Sequence, residues 1–521
     1  MTLQNTIAKL VRYCGQYQSH GFMMDERNTD VTFHVELPEE RKIRDSMESL
    51  RVILLTGEAG DGKTRMMRNL EPLFTKHGFS QIHTDFSALK EKEKEALIRQ
   101  LRSVLDGEGQ EKLVISANVG IFTQAVIRYD MALMGELTKE RKDVHICNFE
   151  NRNLAEDKEA FAQIVKSFLT DGKSEKEYLT CTKTDCPCYG DCAYDINMKK
   201  ILSEVGTEAV RVLCNAIYLT GGHITFRELL SLLSYLITFG QDCEERQAYL
   251  ERGGSQERVL YYQVFEKSRD ALLHKVAVMD PALKRGEYSP RKIKTKEEYI
   301  RYRRWLFFEE GQDYFAMLHV DYLVEFYQVL EYMNQPPFHY DTIKDRNATL
   351  QCLKRGINKM SSQGKSDGGL VVTDTPMILG NQIRLEFMVM QDLSMIWHRY
   401  DIQPGKKYGR SSRLWNKFYL SYVSKKDRKF ISLLVDYRQF RYLMLCNDDY
   451  FLNRNELTME EYAVNTFYRK ILQERGEAYE SVIVRFEEKT REQCDFSLLV
   501  HESEDIFSDE KSQSIRIRRE D

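Results

Sequence analysis

The chain is poor in proline, with 9 in 521 residues, and that scarcity argues against long disordered linkers between its parts. It also lacks a long apolar run. The longest stretch, Leu229 to Phe239, is short and interrupted by serines, so it is not a bilayer-spanning helix and no membrane partner is expected. Met1 to Tyr17 has no extended apolar core behind a basic start, as a secretory signal would, and the expectation is a cytoplasmic protein. Charge of one sign is not in surplus either. Lys plus Arg against Asp plus Glu gives 76 − 80 = −4, so no global positive field draws the chain to nucleic acid, and only local patches could do so. No internal repeat is found. With 42% hydrophobic and 30% charged residues, the composition is that of a folded, helix-rich globular protein, long enough for roughly two to four domains.

Against these absences one stretch stands out. Gly57-Glu58-Ala59-Gly60-Asp61-Gly62-Lys63-Thr64 is an uninterrupted match to the phosphate-loop pattern G-x-x-x-x-G-K-[ST]. Its flanks are those the pattern requires: Arg51 to Thr56 is an apolar run fit for a buried parallel strand, and a helical stretch starts at Lys63. The glycines let backbone N–H groups turn inward around a polyphosphate, and the following helix presents its positive dipole end. Lys63 can reach the β and γ phosphates and the Thr64 hydroxyl can ligate Mg²⁺, so ATP with Mg²⁺ is the expected ligand.

From Arg51 onward strand and helix patterns alternate: strands at 51–56, 81–85, 112–118 and 144–149, each followed by a helix. Such alternation predicts an α/β P-loop NTPase fold, a parallel sheet with helices on both faces and its ligand at the carboxyl ends of the strands. Asp85, just past the second run, is placed as a second Mg²⁺ ligand or as a cap for the helix entered through Ser87. Asn118, ending the third, is placed either to orient a water against a γ phosphate or to form a turn before Gly120. In the first role Asn118 resembles the polar sensor of AAA-type ATPases.

Cys181, Cys186, Cys188 and Cys192 fall within twelve residues, broken by Pro187 and Gly190. Thiolates this dense can surround one ion, and a closed structural Zn²⁺ site is the leading expectation. The Cys-x-Cys pair departs from the usual knuckle, which leaves an outside ligand, an iron–sulfur cluster or no metal as alternatives. No His lies nearby to hold the open position of a catalytic zinc.

Beyond the cysteines the pattern is helical. Thr225 and Glu228 are spaced as a capping box opening a helix through Leu229, Leu232, Leu233 and Leu236. Arg227, in its first turn, can point at a nucleotide or pair with a surface acid. Arg301 to Phe308 interleaves cations with aromatics, which suits nucleic-acid contact, a subunit-interface arginine (Arg304) acting on a neighbour's ATP, or a solvated helix face. After residue 361 strand-like alternation appears at 370–373, 382–389 and 417–423, with apolar helices near 431–445 and 458–473 and a last strand at 481–486. The organisation expected is an adapter at 1–50, a nucleotide core at 51–175, the cysteine segment at 176–200, a helical lid at 201–360, an α+β module at 361–502, and a mobile charged tail at 503–521.

Taken together, the GEAGDGKT loop, IHTDFSAL (82–89), LVISANVGIF (113–122), NFENRNL (148–154), the cysteine cluster and HITFRELLSLLSYLITFG (223–240) resemble a known family. They are similar to the F subunit of the bacterial DNA phosphorothioation-dependent restriction system and to related P-loop ATPases of phage-defence operons. The resemblance covers residues 50 to 360 and is most specific at the phosphate loop. It implies an ATPase that works with companion subunits, including a helicase-like one, to restrict foreign DNA; homo-oligomerisation and direct DNA contact stay open. The alternative is a nucleotide-gated signalling or scaffold protein with little turnover. No apolar strand after the loop ends in Asp-Glu, so the residue that would align the attacking water is not identified.

Overall fold

A computed structural model describes residues 3–14, 35–137, 141–170, 181, 184, 186, 188–254, 261–266, 271–284, 293, 295–309, 313–334, 343–361, 370–378, 383–389, 396–399, 416–423, 430–448, 459–475, 481–487, 493–504 and 511–519. The chain divides into two compact units, one of residues 1–218 and 222–320, the other of 219–221 and 321–521.

The first unit is built on four parallel strands, β1 (Val52–Gly57), β2 (Gln81–His83), β3 (Leu113–Asn118) and β4 (Val144–Asn148), in the order β2-β3-β1-β4. All of β1 is buried, and its side chains alternate between two cores. Val52 and Leu54 face Leu97, Ile98, Leu101, Phe122 and Val126, from α4 (Glu91–Leu105) and α5 (Val119–Tyr129). Ile53 and Leu55 face Ile43, Met66, Met67, Leu70 and Phe74, from α2 (Pro38–Ser46) and α3 (Lys63–Lys76). A strand covered on both faces has no polar side, which is why the sequence here reads as a continuous apolar run. Burying each of these large apolar side chains contributes about 1.5–3 kcal/mol.

Helices complete this unit: α1 (Leu3–Cys14), α6 (Ala132–Leu137), α7 (Lys158–Thr170), α8 (Ala193–Leu202), α9 (Glu204–Leu219), α10 (Phe226–Thr238), α11 (Cys243–Glu251), α12 (Ala271–Val278) and α13 (Lys296–Glu309). Leu3, Ile7 and Leu10 form the buried stripe of α1, which packs against α10, and Tyr13 meets Phe168 edge to face at 5.0 Å. In α10 the expected capping box is formed: Thr225 accepts from the Glu228 N–H and Glu228 from the Thr225 N–H.

The second unit begins at Asp321, inside the span expected as one helical lid. It holds α14 (Leu323–Asn334), α15 (Ile343–Ser361), α16 (Tyr437–Asn447) and α17 (Met459–Arg475). A five-stranded antiparallel sheet runs β12-β11-β10-β6-β5, from β5 (Leu370–Ile378), β6 (Ile383–Val389), β10 (Ser481–Glu487), β11 (Gln493–Glu504) and β12 (Lys511–Arg519). A three-stranded sheet joins β7 (Ile396–Arg399), β8 (Lys417–Val423) and β9 (Phe430–Asp436). α15 and α16 touch at Gly356, where a Cβ would stand 2.0 Å from the Leu443 carbonyl oxygen. Phe326, Phe418, Tyr437 and Phe440 form an aromatic core.

Two expectations change here. Residues 431–445, expected as helix, are β9 followed by α16: Ile431, Leu433 and Val435 point inward, and Leu434, 37% exposed, hides the alternation by being apolar on the outer face. Asp436 then caps α16, accepting from the Gln439 N–H at 2.9 Å. Residues 511–519, expected within a mobile tail, form edge strand β12, where Ile515 and Ile517 alternate with Arg516 and Arg518. Residues 15–34, within the expected adapter, and 335–342, within the expected lid, lie outside the described residues.

Candidate functional site

The loop between β1 and α3 emerges at the carboxyl edge of the sheet. Gly57, Gly60 and Gly62 all have positive φ, at 154°, 101° and 88°. At Gly57 the space is also taken: a Cβ would lie 2.5 Å from Asp61 Oδ2 and 2.8 Å from Phe149 Cβ, so only glycine fits. Gly62 directly precedes α3, whose first residues are Lys63 and Thr64, so the unpaired N–H groups of a helix start face the loop. Lys63 Nζ donates to the Glu58 carbonyl at 2.6 Å and thus lies across the loop. Burial lowers the Lys63 pKa, and Arg152 adds to the lowering, while Asp61, Asp85 and Glu150 oppose it.

Asp61 occupies a position the pattern leaves free, yet it is fully buried. Its Oδ2 accepts from the Glu58 N–H at 2.6 Å and its Oδ1 is 2.9 Å from His223 Nε2. The Asp61 carbonyl accepts from Arg152 Nη2 at 2.8 Å, and the Arg152 guanidinium stacks on Phe149 at 4.6 Å. The loop is therefore held from two directions, by the segment after β4 and by the approach to α10.

The first turn of α10 lies on the loop. The Arg227 N–H donates to the Gly60 carbonyl at 3.0 Å, and a Cβ on Gly60 would meet Arg227 Cβ at 3.1 Å, Thr225 Oγ1 at 3.4 Å and Arg227 Nε at 3.5 Å. Arg227 is exposed, and among the described residues its guanidinium has no ion-pair or hydrogen-bond partner. Arg227 thus stands beside the loop glycines and not on a surface acid among the described residues. Glu150, just past β4, also faces the loop: burial raises its pKa, with Glu58 and Asp61 adding to the rise and His223 and Lys63 opposing it.

Asp85 lies just past the end of β2, and Asn118 is the last residue of β3, in register with Gly57. Both side chains make the local contacts given as their alternatives. Asp85 Oδ1 accepts from the Ser87 N–H at 2.9 Å, and Asn118 Oδ1 caps α5 through the Gly120 and Ile121 N–H groups. Asp85 is exposed and close enough to Lys63 for its carboxylate to favour the lysine's charged form. Arg304 is not brought to the loop. It is held inside its own chain, donating from Nε and Nη2 to Asp280 Oδ2 at 3.0 and 2.8 Å and to the Phe265 carbonyl, with its side chain only 14% exposed.

The four clustered thiols lie near enough to influence one another's charge, and Cys243, the first residue of α11, lies within the same reach of Cys192, Cys181 and Cys186. Tyr194 fixes this proximity by donating to the Gln241 and Asp242 carbonyls at 2.8 and 3.2 Å, which ties the start of α8, capped by Cys192, to the start of α11. Burial pushes the Cys243 thiol up to about 12, and Cys192, Cys181 and Cys186 add to the rise. Cys188 and Cys192 are raised for the same reasons. As the side chains stand, no group of three or more His, Cys, Asp or Glu among the described residues is placed to hold a metal ion.

Sequence reasoning passes over Glu150, Arg152, His223 and Cys243, and gives Asp61 no role beyond the motif. The signal for Glu150 and Arg152 is present in NFENRNL, a polar run directly after a core strand. His223 and Cys243 carry no local signal, since their partners lie 162 and about 50–60 residues away. The chain matches no protein-family model, no curated protein and no solved structure.

Proposed function

We propose that the chain binds ATP with Mg²⁺ and hydrolyses it, acting as the nucleotide-driven subunit of a DNA restriction system. One observation carries the reading: a loop of positive-φ glycines opening into α3 lies under the first turn of α10, which sets beside it an arginine unpartnered among the described residues. Backbone N–H groups, a helix start, Lys63 and Arg227 converge on one spot at the strands' carboxyl ends, an arrangement suited to a polyphosphate. The order β2-β3-β1-β4, with Asn118 beside the loop and Asp85 one strand further out, supports the AAA-like reading. Thr64 and Asp85 would hold the Mg²⁺, which when bound supplies charge neutralisation on the phosphates. Arg227 then faces charge developing on the transferred phosphoryl group.

The companion subunits and the defence setting rest on the sequence resemblance, and co-purification with proteins of the same operon tests them. The cysteines support a separate proposal of a structural zinc. Its basis is the density of four thiols in twelve residues with Cys243 within their electrostatic reach, and no step of the nucleotide chemistry depends on it. The experiment for the main reading is calorimetric titration with ATP, with and without Mg²⁺, followed by phosphate release. Saturable, Mg²⁺-strengthened binding with release of phosphate is expected, and a folded chain that ignores ATP rejects the reading.

A further inference from the structure

The carboxylates around the loop are not equivalent. Asp61 has both oxygens committed, to the Glu58 N–H and to His223. Asp85 has one oxygen on the Ser87 N–H, and Glu58 is exposed to solvent. Glu150 differs from all three: it is half-buried, and its carboxylate accepts no hydrogen bond among the described residues.

Its placement follows from the sheet. β4 lies beside β1, with Asn148 in register with Thr56, so the chain leaving β4 runs along the phosphate loop. Asn148 Oδ1 accepts from the Glu150 N–H at 3.1 Å and fixes the turn. Phe149 packs where a Gly57 side chain would be, and Arg152 is bonded to the Asp61 carbonyl, so Glu150 is held between two residues anchored on the loop.

We propose that Glu150 is the residue that orients the attacking water and takes its proton in ATP hydrolysis, an inference that rests on the reading of the loop as an ATP site. In that step the water oxygen forms a bond to the γ phosphorus, and the bond from that phosphorus to the β–γ bridging oxygen breaks. ADP leaves with the electron pair, and the water's proton passes to the Glu150 carboxylate and then to solvent. The surroundings favour proton transfer, because burial and the nearby Glu58 and Asp61 make Glu150 a stronger base than a free carboxylate, while Lys63 and His223 keep it ionisable. This also accounts for a chain whose β2 ends without an Asp-Glu pair. The acid comes from the other side of β1.

The test compares wild type, Glu150→Gln and Glu150→Asp by ATP affinity, single-turnover hydrolysis, pH–rate profile and thermal unfolding. Expected for Glu150→Gln is a fall in hydrolysis of about 10² or more with affinity changed less than about threefold and an unchanged melt. Wild-type turnover should rise along an acid limb centred above the ordinary carboxylate range, and the limb should be missing from the residual activity of Glu150→Gln. Glu150→Asp should retain part of the rate. Hydrolysis by Glu150→Gln at the wild-type rate overturns the proposal, as does a loss of affinity equal to the loss of turnover, which would make Glu150 a binding residue. Wild type that binds ATP and never hydrolyses it also overturns the role of Glu150 while leaving the loop reading intact. Wild type that does not bind ATP overturns the loop reading itself.

Discussion

Replacing Asp61 by alanine removes a residue that the phosphate-loop pattern treats as free and the structure treats as a pillar. The carboxylate is fully buried and joins the Glu58 N–H, at 2.6 Å, to His223, at 2.9 Å, so one side chain binds the loop to the approach of α10. Each hydrogen bond to a charged group contributes about 1.5–3 kcal/mol. Asp61→Ala removes two of them and is therefore expected to destabilise the first unit by about 3–5 kcal/mol. Asp61→Asn keeps the shape and one acceptor but turns an amide NH₂ toward either the Glu58 N–H or His223, and about 1–3 kcal/mol is expected. Thermal unfolding reports the total, and hydrogen exchange on the peptide spanning 57–66 reports whether the opening is local. Faster exchange there, and at 223–228, is the expected pattern. An Asp61→Ala protein within about 0.5 kcal/mol of wild type, the range of an ordinary surface substitution, refutes the pillar.

Three further outcomes are expected. Arg227→Ala should leave the melt unchanged, since its side chain is exposed and, among the described residues, unpartnered, and lower ATP turnover at every protein concentration; an arginine acting on the transferred phosphoryl is worth roughly 10³ to 10⁵ in rate. Arg304→Ala should instead destabilise the protein by about 3–5 kcal/mol, because Asp280, with its side chain 5% exposed, loses its partner, and calorimetric unfolding would show it. Metal analysis of protein prepared without chelator should find close to one zinc per chain, and Cys186→Ser should lower both that content and the melting temperature; zinc-free, stable protein ends the proposal.

The parts of this molecule legible in the sequence are those where the signal is local. β1 and β3 read as unbroken apolar runs because both faces of the sheet are covered, and the capping box at Thr225 and Glu228 is a contact between residues three apart. The alternation at 417–423 likewise has the same bounds as β8, Lys417–Val423. What escapes is set by distance. Nothing near His223 announces that it will meet Asp61, and nothing near Cys243 announces the thiols of residues 181–192. The same limit applies to Arg304, whose tie to Asp280 spans 24 residues and turns a cation in an aromatic stretch into part of the packing. At β9, Leu434 on an outer position erases the period-two pattern that would have separated strand from helix.

The central claim is that residues 57–64 bind nucleotide phosphates, and it is tested most directly by the ATP affinity of Lys63→Ala against wild type in the presence of Mg²⁺. Lys63 reaches over the loop to the Glu58 carbonyl, outside both cores of the sheet, so the variant should fold and melt as wild type does. Losing a charged donor to phosphate costs about 1.5–3 kcal/mol, which corresponds to a roughly 10- to 100-fold weaker affinity. A folded Lys63→Ala protein that binds ATP as tightly as wild type would contradict the account.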